Sequence, residues 1–570
     1  MSPSLEEASS RTDPKNKSIS DMPITDTYEN SADTACIDSE RTLRYAGALC
    51  AQGKSAQAKS MCSEIFAADP TRADALTLLA TIAFHERDYE GALDALRRAA
   101  RSNGNQAVTH FNIGVALREL GRFDEEIAAY DDALAVHPRF FEAWFNRGTV
   151  LRATGRHRDA LASFDEAIAI RPDCAEAFNN RGNALGDLRR YDEALASFDH
   201  ALRLKPDYAE AYNNRGNALE GLGRYDEALQ SYEWAQRLAT DYADAHWNES
   251  LCRLLVGDYA KGWEKYEWRW RTGTYAQGKQ PQLEKPLWLG HQSLLGKTIL
   301  LHAEGGLGDT LQFCRYAALV AARGAKVVLE VQPELRRLLS NLDGVDELLV
   351  QGEPHPPFDF HCPLMSLPLA LGTSSDSIPA RLPYIAADSQ LVAHWGQQFV
   401  QAKQRLRVGL VWAGNPRLGI ATSRAMDKRR SMPFSRFAPL FELPGIDFYS
   451  LQKGEAAVAQ LTASPLARHV IDMTDGIGDF ADTAALVEHL DLVIAVDTST
   501  AHLVGAMGKQ VWLLNRHDTC WRWFRERRDS PWYPGVMRIF RQPSAGDWDS
   551  VVAEVASALR LETGMERGPD

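Results

Sequence analysis

Glu304-Gly-Gly-Leu-Gly-Asp309 is the first stretch of this chain whose residue types suit chemistry better than packing. Gly305, Gly306 and Gly308 permit positive φ and a close backbone approach to a ligand, and Asp309 follows at the start of a helical pattern. The same residues also serve as an aspartate cap closing a tight turn. A second stretch, Asp497-Thr-Ser-Thr-Ala-His502, leaves a β-branched run. The hydroxyls of Thr498, Ser499 and Thr500, with the free N–H groups of a helix start, make a cradle for a pyrophosphate whose charge the helix dipole favours. His502 falls in the first turn, within reach of that anion; otherwise the run is a cap with a packing histidine. A third stretch, Asn415-Pro-Arg417 followed by Asp427-Lys-Arg-Arg430, sets three adjacent cations, Lys428, Arg429 and Arg430, in a chain of net charge −13. Behind a strand they suit a phosphate clamp, and on an open surface they are a solvated face.

Those loops need strands to hold them. Thr298–His302, Lys326–Val331, Asp346–Val350, Arg407–Trp412, Ile446–Leu451, Asp491–Val496 and Gln510–Leu514 are short, continuous apolar runs between helical stretches. Such runs are buried parallel strands of alternating β/α units. A linker over 272–296 opens the region, and a polar stretch over 386–404 divides it into lobes at 297–385 and 405–562, with a tail at 563–570. Two doubly wound lobes facing one cleft would bring strand C-termini, and therefore ligands, to that cleft.

Upstream the texture is helical and periodic. Asn146, Asn180 and Asn214 stand 34 residues apart, as do Gly148, Gly182 and Gly216, Ala160, Ala194 and Ala228, and Pro138, Pro172 and Pro206. This period marks paired-helix repeats, and about six of them plus a capping unit fill 41–271. The glycines let one helix of a pair approach the other. One column is not demanded by packing: Asn112, Asn146, Asn180, Asn214 and Asn248 recur in register. Such amides can form a ladder along a groove and pair with an extended peptide backbone, or they can bond between repeats and specify stacking.

Composition bounds the rest. A length of 570 residues calls for more than one core, and 45% hydrophobic with 24% charged residues is ordinary for a globular chain. A charge of −13 argues against nucleic acid or anionic membrane as partner. No apolar stretch approaches a membrane span and no secretory signal opens the chain, so the expected location is the cytoplasm. Residues 1–40 are read as a disordered tail. The eight cysteines show no metal-like spacing and are expected reduced. Asp547-Trp-Asp549 precedes the last helix and reads as a cap, not a metal site.

Together these residues resemble a family. Glu304 to Leu311 and Val496 to Leu514 look like the two fingerprints of heptosyltransferase-type GT-B glycosyltransferases. Ser450-Leu-Gln-Lys-Gly454, Asp479 to Ala484, Pro531-Trp-Tyr-Pro534 and Phe540-Arg-Gln542 resemble the bacterial branch in which this module follows tetratricopeptide repeats. The layout is similar in plan to protein O-GlcNAc transferases. The resemblance implies a tetratricopeptide-repeat solenoid followed by an α/β module of two Rossmann-like lobes. It further implies metal-independent, inverting sugar transfer from a nucleotide sugar to a protein or glycan acceptor recruited by the repeats. In that pattern Asp309 is the general base. Gly306, Gly308, Asn415, Lys428, Arg429, Arg430, Asp497, Thr498, Ser499, Thr500 and His502 surround the donor, and Gln452 and Lys453 reach its ribose or base. No cofactor is implied, and oligomerisation through the solenoid is open.

Overall fold

The computed structural model describes residues 34–69, 72–102, 106–273, 283–399, 405–415 and 421–562, and the chain forms two compact units, Met1–Thr240 and Asp241–Asp570. The first unit is an all-helical solenoid. Its described helices are Thr34–Ala51 with Ser55–Ala68, Ala73–His85 with Tyr89–Ser102, Ala107–Glu119 with Phe123–Val136, Phe141–Ala153 with His157–Ile170, Ala175–Asp187 with Tyr191–Leu204, and Ala209–Gly221 with Tyr225–Leu238. Thr34–Ala51 starts inside the stretch expected as a tail. The rest of that tail, and residues 563–570, lie outside the described residues.

One device closes each pair and a second joins neighbouring pairs. The periodic glycines face rings: a methyl group at Gly182 would sit 2.5 Å from Phe198 Cε1, and one at Gly148 would sit 2.7 Å from Phe164 Cε1. The arginine before each glycine is a clamp. Arg147 Nε donates to Asp131 Oδ1 of the preceding pair (2.6 Å) while Nη1 donates to Ser163 Oγ of its own pair (2.7 Å). Arg181 repeats this with Asp165 and Ser197, and Arg215 with Asp199 and Ser231. Gly182→Ala is expected to destabilise the chain by about 1–3 kcal/mol through overpacking against Phe198. Urea melts of the two proteins check it, and equal midpoints would show that the ring can yield.

The second unit opens with helices Ala243–Val256 and Tyr259–Tyr266, which the 34-residue phase counts with the repeats but which pack into the core of this unit. Tyr259 stacks on Phe524 (centroids 5.9 Å) and Trp263 meets Trp521 edge-on at 5.1 Å. These added aromatics bury surface against the α/β part, which an ordinary repeat has no reason to carry.

Two all-parallel sheets follow. The first contains β1 (Thr298–His302), β2 (Lys326–Val331), β3 (Glu347–Val350) and β4 (Phe360–Pro363) in the order β3-β2-β1-β4. The second contains β5 (Leu406–Val411), β6 (Ile446–Ser450), β7 (Val470–Asp472), β8 (Leu492–Val496), β9 (Val511–Asn515) and β10 (Met537–Arg541) in the order β10-β9-β8-β5-β6-β7. In each sheet the winding reverses once, between β1 and β4 and between β5 and β8, and open α/β sheets bind ligands beside such reversals.

Both segments expected as linkers carry structure. Of 272–296, residues 274–282 lie outside the described residues, but Leu287 bridges to His361 and Trp288 is fully buried, its Nε1 donating to Gln292 O (3.0 Å). Within 386–404, Asp388 caps helix Ser389–Gly396, and buried Trp395 donates from Nε1 to Asp482 Oδ1 (3.3 Å). A tryptophan in a polar stretch seeks burial, and each of these anchors its segment.

Candidate functional site

The glycine-rich loop after β1 and the hydroxyl-rich loop after β8 stand at the two reversal points, and they touch. The first enters helix Leu307–Phe313 and the second enters helix Ser499–Ala506. A methyl group at Gly308 would sit 2.9 Å from His502 Cδ2 and 3.4 Å from Ser499 Cα. A residue with a side chain at 308 would therefore push the loops apart. The sequence pairs these loops only as fingerprints; the structure joins them in one place.

Asp309 caps the start of its helix: its Oδ2 accepts from Gly306 N–H at 2.7 Å. Its other oxygen, Oδ1, accepts from Arg522 Nη2 at 2.5 Å. Arg522 reaches over from Trp521-Arg-Trp523, between β9 and β10, and also donates from Nε to Gln312 Oε1 (2.7 Å). The carboxylate therefore sits between a backbone donor and a cation from the segment between β9 and β10. Arg522 is absent from the sequence reading, although an arginine between two tryptophans is a detectable sign of a buried cation. Each carboxylate oxygen accepts more than one bond, so these partners leave capacity for a hydroxyl.

Thr498 stands at the N-cap of helix Ser499–Ala506 without capping it, and its buried Oγ1 has no hydrogen-bond partner. The capping alternative for Thr498 is therefore not what the fold uses. Ser499 and Thr500 supply first-turn N–H groups, which have no intrahelical acceptor. Asp497, half-buried, leads into them. His502 is a wall: Nδ1 lies 2.8 Å from the Tyr533 hydroxyl and the ring stacks on Trp523 at 5.1 Å. Burial first, then the Arg522, Arg315 and Arg430 cations, holds its imidazole well below the usual histidine range. The imidazole is thereby held neutral, packed on Trp523 and bonded to Tyr533.

The cation run splits. Lys428, Arg429 and Arg430 end helix Ala421–Arg430, where positive charge complements the dipole. Arg430 Nε donates to Asp427 Oδ1 (3.0 Å), and this pair lies against Gly414 in the loop after β5. Arg429 Nη1 donates to Asp518 Oδ2 (2.5 Å), and Lys428 is exposed. Arg430 alone of the three is thus placed at the reversal point. Asn415 is exposed at the end of that loop, and Arg417 lies outside the described residues.

Gln452 and Lys453, expected at the ribose or base, bond to backbone. Gln452 is 2% exposed; its Oε1 accepts from the N–H groups of Trp412 and Ala413 (both 2.9 Å), and Nε2 donates to Ala413 O (3.0 Å). Lys453 Nζ donates to Thr474 O and Ile477 O, each at 3.0 Å. Gln452 thus shapes the loop after β5, where buried carbonyls and amides must be met, and Lys453 holds the turn after β7.

Behind the glycine loop lies a buried charge cluster. Arg269 Nη2 donates to Glu304 Oε2 (2.9 Å) and to Ser366 Oγ (2.8 Å), and its Nη1 donates to Glu267 Oε1 (2.8 Å). One cation serves two carboxylates. Burial pushes the Glu304 carboxyl up to about 7 against the pull of Arg269.

In the asparagine column, Asn214 Nδ2 donates to Asn179 Oδ1 (3.0 Å) and Asn179 Nδ2 donates to Glu210 Oε1 (3.1 Å). This rung bonds between repeats. Asn146 is buried, Asn112 and Asn180 are half-buried, and Asn248 belongs to the second unit. At Asn214, stacking and not a free groove amide is what the geometry provides. Among the described residues no helix is long and apolar enough to cross a membrane.

Residues 46–107, 111–175 and 173–241 match family models of the tetratricopeptide repeat, so the first unit is a protein–protein interaction scaffold of that kind. Protein FlbA of Caulobacter vibrioides is 29% identical over 294 residues, covering 48% of each chain. The chain therefore spans about half the length of the curated relative it matches. MamA from Desulfovibrio magneticus RS-1 is 20% identical, covering 30% of this chain and 96% of that one, with a TM-score of 0.29. YrrB, described as a TPR protein with an unusual peptide-binding site, is 21% identical, covering 32% of this chain and 97% of that one, with a TM-score of 0.29.

Proposed function

We propose that this tetratricopeptide-repeat protein is a glycosyltransferase whose two-lobed α/β half, of GT-B type, moves a sugar from a nucleoside-diphosphate sugar to a protein or glycan acceptor recruited by the repeats. One observation carries the reading: the loops at both reversal points pack together, with Gly308 against His502 and Ser499 and with Asp309 tied to Arg522. Asp309 would take the proton of an acceptor hydroxyl as its oxygen attacks the anomeric carbon. The bond from that carbon to the diphosphate oxygen breaks, and the configuration inverts. The first-turn N–H groups of Ser499 and Thr500, the helix dipole and Arg430 would receive the leaving diphosphate charge. Neutral His502 excludes water from the seam between the lobes.

A second reading, an interaction scaffold with a module that binds sugar nucleotide without turnover, draws on the fact that both Asp309 oxygens already have partners. A panel of nucleotide sugars separates the two. Under the first reading, one donor yields free nucleoside diphosphate and a hexose- or heptose-sized mass increment on an acceptor protein or glycan. Donor binding with neither product overturns catalysis, and no binding overturns both readings.

A further inference from the structure

The C-terminal ends of β8, β9 and β10 carry a row of polar atoms that the transferase reading above does not use. Val496 pairs with Leu514 and Asn515 with Arg541 in the parallel ladder, and Gln542 N–H continues it to Asn515 O at 3.0 Å. The same offsets bring Thr498, Arg516 and Gln542 to one level just beyond the strands. All three are at least nine-tenths buried, Arg516 at 7% and Gln542 at 3% exposure. Each has buried polar atoms without a hydrogen-bond partner: Thr498 Oγ1, Arg516 Nε and Nη1, and Gln542 Nε2. Asn515 adds an orphaned acceptor, Oδ1, at the same edge. Gln542 is held for this by its other end, since its Oε1 accepts from the N–H groups of His517 (3.1 Å) and Gly546 (3.2 Å).

Asp497 and Asp518 adjoin the row, as does Arg429. Asp518 Oδ2 lies 3.6 Å from Arg516 Nη1, beyond hydrogen-bond reach, and is bonded instead to Arg429. One carboxylate thus faces two guanidinium groups. Unmet buried donors each cost about 1–3 kcal/mol, so a sequence that lines up a guanidinium, an amide and a hydroxyl beside a helix N-terminus calls for an acceptor-rich anion. A cation, or a ligand offering mainly donors, would meet only Asn515 Oδ1 and the threonine oxygen.

We infer that Arg516, with Gln542 and Thr498, forms a phosphoryl-binding subsite, and that Arg516 is the arginine that grips the diphosphate group of a nucleotide ligand. The inference rests on the donor-binding reading and adds a residue that neither the fingerprints nor the cation run indicated.

Isothermal titration of the full chain with inorganic pyrophosphate and with ADP, UDP and GDP tests it. Wild type is expected to bind pyrophosphate and at least one of the diphosphates. Arg516→Met should weaken both at least about tenfold, the loss of charge-assisted hydrogen bonds. Arg516→Lys should retain part of the binding, and Lys326→Met, at an exposed position at the start of β2 in the other sheet, should bind within about twofold of wild type, since exposed distant charges are screened. Should Arg516→Met fail to fold, Gln542→Glu, which keeps the volume and sets a carboxylate in the row, is expected to give the same weakening. Undiminished affinity in folded Arg516→Met, or in Gln542→Glu, would overturn the subsite while leaving the nucleotide-sugar reading standing. A wild type that binds none of the four probes would overturn that reading as well.

Discussion

Asp309→Asn is expected to slow release of nucleoside diphosphate from the donor by about 10²–10⁴-fold while donor affinity stays near the wild-type value. The amide is the same size as the carboxylate, and its oxygen can still accept the 2.7 Å bond from Gly306 N–H that shapes the loop. What it cannot do is accept a proton from an attacking hydroxyl. The change has a side effect that must be separated from catalysis. Arg522, with a side chain 12% exposed, loses its one carboxylate partner and keeps Gln312 Oε1 and Cys520 Sγ. Stability will fall for that reason alone, so the rate is compared at a temperature where both proteins are folded, and Arg522→Gln is measured beside it. Arg522→Gln disturbs the same pair but keeps the carboxylate, so a base at 309 predicts a smaller rate loss there than in Asp309→Asn. Equal losses would reassign Asp309 to holding the lobes together, and an unchanged rate would remove it from the chemistry altogether.

How much of this was legible beforehand depends on the distance over which each feature is determined. Thr298–His302 and Lys326–Val331 match the strands because a buried parallel strand writes its own apolar run. Phe360-His-Cys-Pro363, Val470-Ile-Asp472 and Met537 to Arg541 were missed as strands because they are brief and interrupted by polar residues or proline, and pairing supplies what their composition does not. The glycine spacing announced helix contacts that the Phe164 and Phe198 rings then made specific. The site was half legible. The loops after β1 and β8 carry local signatures, so Gly308, Asp309 and Thr498 stand out in the sequence. Arg522 does not, because its partner is 213 positions away and only the fold brings the two together. Gln452 and Lys453 are polar residues after a strand, a pattern that suggests ligand contacts; buried Gln452 bonds to the backbone after β5, and exposed Lys453 bonds to Thr474 O and Ile477 O. The tryptophans at 263 and 268 broke the repeat pattern for a reason the period could not state. Trp263 is part of the second core, and Trp268 stacks on His246 at 3.7 Å.

Arg269→Met should lower stability by about 3–5 kcal/mol near pH 8, the cost of removing one partner from a buried ion pair. The side chain of Arg269 is wholly buried, and it is the cation paired with both Glu304 and Glu267. Burial lowers the guanidinium's affinity for its proton, but Glu304 and Glu267 more than offset this and hold it above the ordinary arginine value. Glu304 behaves differently, its folded value standing at about 7 above the ordinary carboxylate value of 4.5. A raised folded value means the fold binds that proton more tightly than the unfolded chain does, so this group's contribution is fully present below the ordinary value and is lost as pH rises through about 7. Without Arg269 the carboxyl loses its attraction and is driven further toward the neutral form. The penalty in Arg269→Met should therefore shrink as pH falls from 8 to 5, and adding Glu304→Gln should recover much of it at pH 8. Urea melts of wild type, the single variant and the double variant at several pH values measure this. A deficit that is the same at both ends of the range, and that Glu304→Gln leaves untouched, would mean that lost packing around Tyr266 and Trp270, whose rings Arg269 covers at 4.8 and 4.4 Å, is what the substitution removes. The expected result instead makes Glu304 a charged brace behind Gly305 and Gly306, so that loosening it should also blunt any turnover that depends on where Asp309 is held.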